Sequence, residues 1–220
     1  MPVLLTILVF VAFAMVFIAL VVYRKKKEKE RTKALEVTAA QLGWGFSPGA
    51  PLNMMGDLSN FPLFNQGYSR KIKNLMYGQA QGVKAAAFDY QYTVGSGKSS
   101  HTYFQSVVYL EPANLNLPFF SLRPENFFHK MLSAFGYQDI DFGQRPEFSK
   151  HYLLRGEDEN SIRQTFNDRV LTFYESYPGT CTDAGANQIF VFRSEHRVEP
   201  QQIEGSVGIG LQLMKLLQGY

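Results

Sequence analysis

An unbroken apolar run over residues 3–23, VLLTILVFVAFAMVFIALVVY, ends on four consecutive cations, Arg24, Lys25, Lys26 and Lys27. This junction limits what the chain can be more than any feature downstream of it. The run is 21 residues long and Thr6 is its one polar residue. As a helix it would span roughly 31 Å, close to the ~30 Å hydrocarbon thickness of a bilayer. A helix packed on a globular core would carry a polar stripe, and this one has none. A cleaved signal peptide fits less well. Pro2 directly follows Met1 with no basic n-region, the run exceeds the roughly 7–15 residues of an h-region, and no small-x-small site closes it. The expectation is a retained, single-pass transmembrane helix.

Charge asymmetry sets the expected direction. The side before the run carries no Lys or Arg, whereas residues 24–33 carry seven basic residues against Glu28 and Glu30. The positive-inside rule then places the N-terminus outside and the rest of the chain in the cytoplasm, that is, on a bacterial inner membrane. The lone Cys181 agrees with a reducing compartment, although one thiol forms no internal disulfide anywhere. The flank residues Arg24, Lys25, Lys26, Lys27, Lys29 and Arg31 are expected at the lipid surface, each contributing about 1 kcal/mol near an anionic leaflet. A plain stop-transfer flank accounts for them ahead of specific lipid recognition.

The formal net charge of +3 has to be divided before it is used. Of 22 basic and 19 acidic residues, the flank holds seven and two, which leaves fifteen and seventeen elsewhere. The domain is thus slightly acidic, which argues against nucleic acid as a partner. The expected organisation is an anchor over 1–23, a basic juxtamembrane linker over 24–33 and one cytosolic α+β domain over 34–220. With 19 Phe and 12 Tyr in the chain, that domain needs a core and is not disordered.

Periodicity along the domain predicts a short helix over 31–42 stopped by Gly43, then a loop at Ser47-Pro48-Gly49-Ala50-Pro51 and irregular chain over 52–60. Strands are expected over 75–79, 83–94 and 102–110. Phe88, Tyr90 and Tyr92 alternate there with Asp89, Gln91 and Thr93. A further strand is expected over 118–122. Pro124 opens a helix whose Phe128, Met131, Leu132 and Phe135 share a face. Ile140 and Phe142 mark an extended piece and 148–155 a strand. Ile162, Phe166, Val170 and Phe173 follow at helical spacing, 188–193 reads as a strand, and Pro200 starts the last helix. Hairpins without βαβ alternation give an α+β fold with a largely antiparallel sheet and packed helices.

Few residues suggest chemistry. Gly95-Ser96-Gly97-Lys98-Ser99 resembles a phosphate loop only in part: Tyr92 stands where the pattern needs its first Gly, and extended chain follows instead of a helix. Asp139 and Asp141 are two apart, so on a strand both face one way. With Lys150, His151 and Arg155 they form the weak polar cluster an enzyme would use, or else a solvated strand face. The four histidines are scattered and none pairs at i, i+4, so no zinc site is expected. No G-x-S-x-G elbow occurs. Gly205, Gly208 and Gly210 each cost a helix about 1 kcal/mol, so they imply close packing inside the domain or a surface for self-association.

From Phe88 onward the chain resembles a family of uncharacterised bacterial proteins anchored in the membrane. The likeness lies in FDYQYTVGSGK over 88–98, LRPE over 122–125, DIDF over 139–142 and PEFSKHYLLRG over 146–156. It implies an inner-membrane protein with a cytosolic domain. The family has no assigned activity, so it supplies no catalytic residue. The functional expectation is a tethered, non-enzymatic interaction or scaffold domain that needs no cofactor, with the lipid bilayer and a protein as partners. The alternatives are a membrane-associated enzyme and a sensor of lipid headgroups.

Overall fold

The computed structural model describes residues 2–51, 58–125 and 139–219. Its centre is an eight-stranded antiparallel sheet in the order β1-β2-β3-β4-β8-β7-β5-β6. The strands are β1 (Gly45–Ala50), β2 (Tyr68–Ala80), β3 (Val83–Val94), β4 (His101–Glu111), β5 (Leu117–Pro124), β6 (Tyr152–Gly156), β7 (Thr180–Ala186) and β8 (Gln188–Arg193). The helices are α1 (Pro2–Gln41), α2 (Pro62–Asn65), α3 (Pro146–His151), α4 (Glu159–Thr165), α5 (Asp168–Ser176) and α6 (Ile203–Leu217). The α+β class with its antiparallel sheet is as the sequence predicts.

The transmembrane reading is corrected. Among the described residues no helix is long and apolar enough to cross a membrane. The described side chains of α1 are apolar from Phe10 to Tyr23. The helix then runs into Arg24, Lys25, Lys26 and Lys27. The single-pass inner-membrane location, and the orientation derived from it, lose their basis. Residues 24–33 are helical and continuous with the segments on either side: α1 is one helix from Pro2 to Gln41. Its C-terminal part buries Leu35 and Ala39 against the sheet.

Both faces of the sheet are covered. One face carries α1 and the helices α3 to α6, over Ala85, Ala87, Val108, Leu110, Leu122 and Ile189. The other is an aromatic layer of Phe88, Tyr90, Tyr92, Tyr103, Tyr109, Phe190 and Phe192, capped by Phe61, Leu63 and Phe64 from the α2 segment. Phe190 stands edge-on to Phe61 and Phe64 at centroid separations of 4.8 and 4.9 Å, a favoured aromatic geometry. Asp183 fixes this cap. Its carboxylate accepts the Leu63 N–H at 2.7 Å and pairs with Arg123 at 2.7 Å, and the Arg123 guanidinium lies over the Phe192 ring.

Local chemistry explains the boundaries. Gln81 and Gly82 both have positive φ, the requirement of the two-residue turn that joins β2 and β3. The helix expected through 162–173 divides in two because Asn167 accepts the N–H groups of Arg169 and Val170 and starts α5 afresh. The strand expected over 148–155 begins only at Tyr152, since Pro146 opens α3 and its one turn sets Phe148 into the core. The stretch 139–142, read from the sequence as an extended piece, forms neither strand nor helix. The helix predicted after Pro124, with His129, lies outside the described residues.

Candidate functional site

The base of α1 is held by a partly buried cluster of charges. Asp89, on β3, is the hub. It accepts Arg31 Nε at 2.8 Å and Nη2 at 2.7 Å, Asn74 Nδ2 at 2.8 Å, Ser106 Oγ at 2.8 Å and Arg197 Nη2 at 3.1 Å. Arg31 also donates to the Val198 carbonyl at 2.9 Å. Arg197 reaches back to α1 and grips Glu28 with both Nη atoms, at 2.5 and 3.1 Å. Two cations meet two carboxylates, so the cluster is neutral, and each charge is met by directed hydrogen bonds, the condition under which buried ions are tolerated. Burial alone would raise the Asp89 carboxyl, but the bonds and charges of Arg31 and Arg197 outweigh it and hold the carboxyl below its usual range. Arg197 likewise lowers Glu28, through its hydrogen bonds first.

The strands supply this geometry through one irregularity. Asn74 adopts φ of 50° at a bulge in β2, and the slip turns its amide toward Asp89. Arg31, read from the sequence as a lipid-surface cation, instead points into the fold with a side chain 12% exposed. Arg24, Lys25, Lys26, Lys27 and Lys29 are exposed on α1. Lys26 lies 3.9 Å from Glu30, and Lys27 sits over the Tyr23 ring.

Beyond the cluster, α1 leaves the sheet and its apolar side chains stay in the open. Phe10 and Phe13 are each 71% exposed and Phe17 67%, and no described residue from Phe10 to Tyr23 is buried. A continuous apolar surface of this kind marks an interaction site.

The polar residues proposed for chemistry do not converge. Asp139 accepts the Leu154 N–H at 2.9 Å, and Ile140 N–H donates to the Leu154 carbonyl at 2.8 Å. Together they close the outer edge of β6, a protective arrangement for an edge strand. Burial raises the Asp139 carboxyl, and the nearby Asp141 charge adds to this. Asp141 and Lys150 are exposed, and His151 Nδ1 lies 2.7 Å from the Glu147 carbonyl of its own helix. Arg155 acts on Asp139 electrostatically from β6. Among the described residues no group of three or more His, Cys, Asp or Glu could hold a metal ion. The 95–99 loop connects β3 to β4, and no helix N-terminus follows it. The three glycines separate. A Cβ on Gly210 would lie 3.2 Å from Val108 and 3.3 Å from Leu110, whereas Gly205 and Gly208 face open space.

Sequence reading missed Asp89 and Arg197. It placed Asp89 on a polar strand face, whereas both faces of β3 are buried. A lone carboxylate beside Ala85 and Ala87, with arginines at 31 and 197, was the available signal.

No family model matches the chain, and no curated protein does either. The fold has a solved relative. The crystal structure of the mycobacterial trehalose monomycolate transport factor A, TtfA, superposes with a TM-score of 0.60 at 14% identity, over 84% of this chain and 93% of that one. At that identity the likeness is one of fold.

Proposed function

We propose that this chain is a non-catalytic interaction domain whose α1 presents an apolar face to a partner protein. The observation that carries this reading is the exposed apolar helix of residues 10–23, continuous with a base held on the sheet by Asp89, Arg31, Arg197 and Glu28. A helix anchored at one end and bare at the other suits capture by an apolar groove or by neighbouring helices. A solved protein of similar fold is named a transport factor, and an accessory role of that kind fits a chain whose buried charges are engaged in holding elements together.

The test replaces Phe13 and Phe17 together with Ser in the full chain. Neither residue is buried in the fold, so the midpoint of chemical unfolding stays the same, while a defined complex purified with the native chain is lost. Retention of that complex by the double variant would overturn the reading. So would recovery of lipid alone along the native helix.

A further inference from the structure

A cleft of about 390 Å³ opens between the sheet and the start of α6. Val108 and Val191 form its floor, Ile209 and Tyr177 its walls. Its size falls within the range of small-ligand sites, which are apolar with a few polar groups at the edge. Gly205 leaves one wall without a side chain, and nothing lies within 4 Å of where its Cβ would stand.

The polar groups of the cleft divide into spent and unspent. Ser106 donates to Asp89 and accepts from Val198 N–H, Thr180 donates to the Tyr177 carbonyl, and Ser206 donates to the Gln202 carbonyl. The Arg193 guanidinium has no hydrogen-bond or ion-pair partner among the described residues. Among the described residues it is the one permanently charged side chain lining the cleft, and no carboxylate lines it. Five donors in a planar fork beside an apolar hollow suit a carboxylate.

We infer that this cleft binds a single-chain anionic amphiphile: an alkyl chain on Val108, Val191 and Ile209, with a terminal carboxylate on Arg193. The inference is independent of the partner proposed for α1, because no residue is shared between the two surfaces.

The probe is a dodecanoate analogue with a diazirine in its chain, photo-crosslinked to the full-length protein and mapped by peptide mass spectrometry. Labels are expected on peptides covering residues 191–198 and 201–209, with dodecanoate competing and butyrate not competing. Arg193→Gln is expected to weaken competition by dodecanoate about tenfold, the worth of one charge-assisted contact, and to leave competition by dodecanol unchanged. Ser206→Leu, which projects a larger side chain into the hollow, is expected to abolish labelling by filling it; should that variant not fold, the Arg193 comparison stands alone. Labels confined to residues 10–23, or a carboxylate preference that survives Arg193→Gln, would overturn the inference.

Discussion

Asp89→Ala tests the seat of α1 at its hub. The substitution removes the carboxylate that Arg31 and Arg197 share, but the two arginines do not lose equally. Arg197 keeps its bidentate contact with Glu28, while Arg31 keeps only the Val198 carbonyl and Ser106. Breaking a buried pair from one side costs about 3–5 kcal/mol, and the retained partners place this case at the lower end, about 3 kcal/mol. Urea unfolding at neutral pH measures it as a fall in midpoint at constant m-value. Adding Arg31→Met to Asp89→Ala removes the stranded charge, so the double variant should be less damaged than the sum of the two single ones by about 1–3 kcal/mol. A loss below about 1 kcal/mol for Asp89→Ala, or simple additivity, would refute the argument. Acid provides a second reading. The folded carboxyl lies below its ordinary value of about 3.9, so its contribution is complete above that pH and is lost as pH falls through the depressed folded value. The native chain should therefore lose stability below about pH 4 more steeply than an Asp89→Asn variant.

Four further outcomes follow from single positions. Gly208→Ala should raise stability by about 1 kcal/mol, since the site is helical and open, whereas Gly210→Leu should cost about 1–3 kcal/mol by pressing on Val108 and Leu110; paired denaturation curves decide. Cys181 is fully buried, and burial pushes its thiol up to about 11, so a maleimide should label it only at the rate of unfolding, read by intact-mass spectrometry against a denatured control. Arg123→Met should free the α2 cap by stranding Asp183, which hydrogen exchange would show as faster exchange at Leu63 than at β3 amides.

The sequence made the antiparallel meander legible because Phe88, Tyr90 and Tyr92 alternate on a strand whose neighbours are joined by short turns. It hid β7, where TCTDAGA has no apolar period. That strand is buried on both faces and needs small residues, since the Phe119 ring fills the space a side chain at Gly185 would take. It hid β1 as well, because Pro48 and Gly49 read as a loop, and only an edge position accommodates them. The charge cluster was invisible for another reason. Arg31, Asp89 and Arg197 are separated by 58 and 108 residues, and periodicity carries no information on which distant charges meet. The basic flank invited a membrane reading for all its cations, yet the helical turn at residues 28–31 directs Glu28 and Arg31 inward while Lys26, Lys27 and Lys29 stay outside.

The central claim is that the apolar half of α1 is covered by a protein. A photo-reactive phenylalanine analogue placed at Phe17 in the full chain, irradiated in the cells that make it, tests this directly. The account predicts a discrete heterologous protein adduct at position 17 and none from the same analogue at Phe104, an exposed aromatic on β4. Adducts with lipid alone, or equal protein labelling at both positions, would contradict it.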